Sequence, residues 1–163
     1  MAISLSVVPS TAGLAGASHL KQSKPDPRQN TGPIFFSRIS ASGSAAPADG
    51  FYCYINTENP HQSSHYPNTV ASRASVSCGI QMTHIAVGST LYYSCCNYNY
   101  VEVGYSGTVN WYDTTTGNAV AETQCPISGF FSAYGQAYLE PPAGYQPPSS
   151  NIAQWSNTTV VSC

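Results

Sequence analysis

The sequence predicts an all-β protein: an antiparallel β-sandwich stapled by disulfides and preceded by an extended N-terminal arm. Three observations lead to that expectation. Only 7% of the 163 residues are charged, while the chain holds 12 Tyr, 12 Pro and 13 Gly. A helical protein of this size would cover its solvent faces with Lys and Glu, bringing charged residues to about a quarter of the chain. β-Branched and aromatic runs recur between turn-forming clusters, and no ten-residue stretch shows a 3.6-residue apolar period. Six cysteines in so short a chain suit an oxidising compartment, so the protein is expected to be secreted.

The chain divides near residue 50. Every tyrosine, tryptophan and cysteine lies at Tyr52 or beyond. Residues 1–17, MAISLSVVPSTAGLAGA, read as a signal-peptide remnant, with Ala15-Gly16-Ala17 as an A-x-A cleavage site before Ser18. Residues 18–50 form a Ser/Ala/Gly/Pro-rich arm that carries Lys21, Lys24, Arg28 and Arg38 against Asp26 and Asp49. Residues 51–163 form the sandwich and carry Arg73 against Glu58, Glu102, Asp113, Glu122 and Glu140. A cationic arm without core-forming residues therefore precedes an acidic domain. Within the arm, Ile34-Phe35-Phe36-Ser37-Arg38-Ile39 is apolar and β-prone, and has two readings. It is either the first strand of the sandwich or a strand offered to a partner.

Strands are expected at Phe51–Ile55, Val70–Cys78, Thr90–Cys96, Tyr100–Val103, Thr108–Tyr112, Ala119–Thr123, Phe130–Leu139 and Trp155–Ser162. Turn clusters such as Thr115-Thr116-Gly117-Asn118 separate them. That spacing suits a sandwich with Greek-key-like connections. Tyr92, Tyr98, Tyr100, Tyr105, Tyr112 and Tyr134 are too many for one small core, so a tyrosine surface is expected, fit for sugars or a protein partner.

Candidate chemistry is sparse. His61 and His65 lie four apart, but Pro60 and Pro67 bracket them, which makes a loop of the segment rather than a helical metal pair. Glu58 and His84 would be needed to complete a zinc or copper site, and the expectation is a histidine-braced loop with no metal. Ser63 or Ser64 beside His65 does not make a triad, whose members converge in space with an orienting acid. Gly104-Tyr105-Ser106-Gly107 is not a nucleophile elbow. The six cysteines permit 15 connectivities, and adjacent Cys95 and Cys96 either find different partners or close a vicinal ring. A net charge of -2 gives no basic field for nucleic acid, and no apolar run reaches the roughly 18 residues of a membrane helix.

Cys53, then Asn59-Pro60-His61-x-Ser63-x-His65-x-Pro67-x-Thr69-Val70, then Cys78, resembles a family of small secreted actinobacterial β-sandwich proteins. The likeness continues through Leu91-Tyr92, Cys125, Pro141-Pro142-Ala143-Gly144-Tyr145, Trp155-Ser156-Asn157 and Cys163, and so covers residues 53–163. The family usually has Gly after the second motif proline, where Asn68 stands here; Asn tolerates the left-handed conformation. Four cysteines fit the family pattern (Cys53, Cys78, Cys125 and Cys163); the expected bonds are Cys53–Cys163 and Cys78–Cys125, tying the terminal strands and closing the sandwich, with Cys95–Cys96 as the remaining pair.

One subset is similar over more of the chain: the adaptor subunits of umbrella toxin particles. There a β-sandwich with a long N-terminal extension joins a lectin subunit to the helical-repeat ring of a large toxin subunit. The resemblance implies a non-enzymatic adaptor in interbacterial antagonism, without cofactor. It implies partner contacts along the arm at Lys21, Lys24, Arg28, Ile34, Phe35, Phe36, Arg38 and Ile39. The alternative is a free-standing cell-wall or carbohydrate-binding sandwich that uses its tyrosines; a His-based metal enzyme comes third.

Overall fold

The computed structural model describes residues 30–39, 45–94, 100–125 and 128–162. These residues form nine β-strands and no helix, and every ladder is antiparallel. The strands are β1 (Ile34–Ile39), β2 (Ala45–Thr57), β3 (His61–Gln62), β4 (Thr69–Ser94), β5 (Tyr100–Gln124), β6 (Gly129–Glu140), β7 (Tyr145–Gln146), β8 (Ser150–Trp155) and β9 (Thr159–Val161). No helix of the described residues is long and apolar enough to cross a membrane.

Two strands are far longer than expected. Val70–Cys78 and Thr90–Ser94 belong to one strand of 26 residues, β4, and the three short strands expected between Tyr100 and Thr123 are one strand of 25 residues, β5. Both bend in the middle, so that the continuous sheet curls over itself into two layers. In the first layer β7, β1, β2, the first half of β4 and the second half of β5 are neighbours. In the second layer the first half of β5, the second half of β4, β6 and β8 are neighbours, with β9 beside β6. β2 touches β6 and β8 without pairing to either, which is the contact between facing layers. Strands that pass from one layer to the other through a bend are a common way of making such corners.

The bend follows from local chemistry. Ser77 pairs with Thr116 and Met82 with Thr114, so Cys78–Gln81 bulge opposite the single residue Thr115. On β5 the backbone of Asp113 takes the left-handed conformation at φ 49°, which Asp tolerates better than most side chains. Gln81 Nε2 donates to the Asp113 carbonyl at 2.6 Å, and Trp111 Nε1 spans the bend to the Asn118 carbonyl at 3.1 Å. The Thr115–Asn118 cluster, expected to be a turn between strands, is therefore part of a corner within one strand.

Alternation along each half-strand fills the space between the layers. Ala74 and Val76 from the first half of β4 meet Ile85 and Val87 from its second half, with Leu139 and Ile152 from β6 and β8. A second cluster at the other end joins Val70, Leu91, Phe131, Ala133 and Val161. Buried Ser72 and Ser89 are satisfied: Ser72 Oγ donates to the Glu58 carbonyl at 2.7 Å and Ser89 Oγ to the Ser72 carbonyl at 3.4 Å.

Two expectations change here. The segment Ile34–Ile39 is the sandwich's own strand, paired to β2 from Ile34↔Cys53 to Ser37↔Gly50 and to β7 through Ser37 and Arg38. Phe36 is 0% exposed and stacks on Phe51 at 5.3 Å, because inward positions of a paired strand must be apolar. The sandwich thus begins well before residue 51, and the limit placed at Gly50 falls inside β2. The second change concerns the disulfides. Cys53 and Cys78 bond to each other, which excludes both Cys53–Cys163 and Cys78–Cys125. The ladder register sets the two residues directly opposite on neighbouring strands, with Cα atoms 4.1 Å apart. Cys125 is also in a disulfide. Cys95, Cys96 and Cys163 lie outside the described residues, as do Lys21, Lys24, Arg28, Tyr98 and the expected signal remnant at 1–17.

Candidate functional site

The Asn59–Pro67 motif builds a loop rather than a reactive centre. Asn59 Oδ1 accepts from the Asn157 backbone N–H at 3.0 Å, tying the loop to the segment between β8 and β9. Pro60 is buried, and His61 Nδ1 lies 3.0 Å from the Asn59 carbonyl oxygen. Ser63 Oγ accepts from the backbone N–H groups of His65 and Tyr66, both at 3.3 Å, which closes the turn. Asn68 sits at φ 55°, a left-handed conformation that Asn tolerates, and its carbonyl accepts from the Cys125 N–H at 2.8 Å. His84 is elsewhere, on the outer face of the second layer. No group of three or more His, Cys, Asp or Glu side chains converges among the described residues.

Apart from Tyr66 in that loop, the outer faces of the two layers carry most of the exposed aromatic side chains. On the first layer, Phe35 and Tyr52 are a registered cross-strand pair with ring centroids 4.8 Å apart, and Tyr54 continues the stripe 6.2 Å from Tyr52. The Phe35 ring also covers Gly50, where any Cβ would run into it. Phe35 is 39% exposed, Tyr52 49% and Tyr54 53%. Next to the stripe lie Ser77 and Ser75 on β4, and then Thr116 and Asn118 on β5. Of the arm residues expected to touch a partner, Phe35, Arg38 and Ile39 are exposed, Ile34 packs against the core and Phe36 is inside it.

The second layer's outer face is built in rows by its register. Tyr112, His84 and Glu140 form one row, in which Tyr112 and His84 stack at 4.7 Å, and His84 Nε2 lies 2.9 Å from Asn110 Oδ1. The next two rows are Asn110, Ala86, Tyr138 and Asn151, then Thr108, Gly88, Gln136 and Ala153. A fourth row holds Tyr105, Thr90, Tyr134 and Trp155. Outward side chains are thus smallest at Ala86, Gly88 and Ala153, with rings on both sides along the strands. The result is a cleft of about 610 Å³. Thr31 walls it on the β8 side, held by three hydrogen bonds to Ala153: N–H to carbonyl at 3.0 Å, Oγ1 accepting at 2.7 Å, and Oγ1 to carbonyl at 3.2 Å.

Tyr92 and Tyr134, expected at the surface, are buried instead, clustering with Trp155 at 5.2 and 5.0 Å. Burial, with Glu102 opposite on β5 and Tyr134 nearby, pushes the Tyr92 phenol up to about 12. Burial raises Tyr134 too. Tyr105 and Tyr112 are exposed as expected. Sequence reasoning missed Tyr52, Tyr54, Tyr138 and the cleft. The available signal was the spacing of Ala86 and Gly88, two small residues on the same face of a strand flanked by aromatic strands. No protein-family model matches the chain, and no curated protein matches it either.

Proposed function

We propose that this protein is a secreted, non-enzymatic adaptor that holds two partners at once. The observation behind this reading is the Phe35–Tyr52–Tyr54 stripe, three exposed rings in contact on a rigid, disulfide-stapled sheet. Rings anchored by neighbouring rings lose little side-chain freedom on docking, which is why aromatic residues so often dominate protein interfaces. In this reading the stripe holds a lectin-like subunit. The cationic arm ahead of Asn30, with Lys21, Lys24 and Arg28, engages an acidic, helical-repeat toxin subunit in a particle used against competing bacteria. A segment that carries no core-forming residues of its own gains its contacts from a partner, which suits an assembly joint.

Because β1 belongs to the sandwich, only the residues ahead of it can be removed without touching the fold. Removal of residues 1–29 leaves β1 and Thr31 in place, so the truncated domain should melt as the full chain does while losing the large partner from culture-supernatant pull-downs. A Phe35→Ser/Tyr52→Ser/Tyr54→Ser variant should lose the other partner and keep the first. Recovery of the full chain alone, or recovery of the same partners by both variants, would refute the adaptor reading.

A further inference from the structure

We propose that the cleft on the outer face of the second layer binds a neutral oligosaccharide. This goes beyond the adaptor reading, which uses the opposite layer and the arm. The cleft's volume falls within the ~300–1,000 Å³ of small-molecule sites, and its floor is set by the register of β4, β6 and β8. Its floor is Ala86 and Gly88; Tyr138 supplies the exposed ring surface, with buried Tyr134 lining one end; Thr108 and Asn151 supply neutral hydrogen-bonding groups. A pyranose presents the same alternation, with an apolar C–H face that lies on an aromatic ring and hydroxyls around its edge.

The chemistry of the lining discriminates among other ligands. None of the residues lining the cleft is charged, so a phosphorylated or carboxylated ligand would find no counter-charge. An extended peptide would seek the free backbone groups of a sheet edge, but the strands under the cleft are paired on the face between β5 and β8. The fixed Thr31 wall means that the site exists before ligand arrives, which limits the ordering cost of binding. Beyond the cleft, exposed Tyr112, stacked on half-buried His84, continues the aromatic surface along the strands, in position for a further sugar unit.

The test uses the full chain in calorimetric titrations with cellotetraose, xylotetraose, chitotetraose and maltotetraose, followed by amide chemical-shift mapping. At least one neutral tetrasaccharide should bind, with shifts centred on Gly88, Gln136 and Tyr138. Tyr138→Ala should weaken binding about tenfold or more, in line with the loss of one aromatic contact and its neighbours. Gly88→Val should abolish it by filling the floor. A Cβ at Gly88 meets its nearest atoms only at 3.7 Å, and a β-branched residue suits a strand, so this variant should fold. Asn151→Ala offers a second, rim-based loss of affinity, and Tyr54→Ala on the opposite layer should bind as wild type. Absence of binding to all four sugars would overturn the proposal, as would binding only of acidic glycans, or affinity unchanged in both Tyr138→Ala and Gly88→Val. Because no partner protein enters these titrations, their outcome is independent of the pull-downs.

Discussion

Phe35 and Phe36 are adjacent in sequence and opposite in fate, and the difference is measurable. Phe36 is fully buried and stacks on Phe51, which in turn meets Tyr145 edge-on at 5.2 Å. Replacing it with Ala removes the whole ring from the core and leaves Phe51 beside a void, at a cost of about 3–5 kcal/mol. For a chain of this size that corresponds to a fall in melting temperature of roughly 10 °C or more. Phe35 is already 39% exposed and loses only its contact with Tyr52 and Gly50, so Phe35→Ala should cost about 1 kcal/mol. Guanidinium unfolding of the oxidised proteins, followed by tryptophan fluorescence, gives both values. Two equal losses, or a Phe36→Ala cost below about 1 kcal/mol, would mean that β1 is not seated in the sandwich, and the docking-strand reading of Ile34–Ile39 would return.

Two further outcomes are expected. Non-reducing peptide mapping should link Cys53 to Cys78, and replacing both with Ala should destabilise the domain by roughly 3 kcal/mol, since the bond closes a loop with a sequence separation of 25; a Cys53–Cys163 peptide would refute the ladder register. Tyr92 should resist ionisation until about pH 12, because burial favours its neutral phenol. Its folded-state value lies above the unfolded one near 10, so this contribution is complete below pH 10 and is lost as pH rises toward 12. Alkaline unfolding curves should show that loss reduced in Tyr92→Phe, and an unchanged curve would argue against the buried phenol.

The antiparallel all-β class was legible because alternation is local. Val70 through Cys78 read as a strand with a small apolar face, and that face is buried. The fusion of several expected strands into β4 and β5 was not legible. Turn-forming residues such as Thr116, Gly117 and Asn118 serve equally at a bend within a strand, and only the partner strand decides which occurs. Disulfide pairing is a long-range property as well. Cys53 and Cys78 meet through the β2–β4 register, which no single segment encodes. The cleft was hidden for the same reason: Ala86, Gly88 and Ala153 are unremarkable one by one, and become a floor only when β4, β6 and β8 align them. Phe36 could not be told from Phe35 until β1 had a partner.

β5 pairs only with β4, so among the described residues its other edge is open along both layers. An open edge of 25 residues is a template on which further chains could stack into fibres. Three features of this strand oppose that. The bend at Asp113 means that a straight incoming strand can follow only one half of it; Gly107, at φ 71°, interrupts the first half again; and Glu102, Asp113 and Glu122 place like charges along the same edge. The corner that makes a sandwich out of one curled sheet therefore also guards the open edge of β5 against further chains.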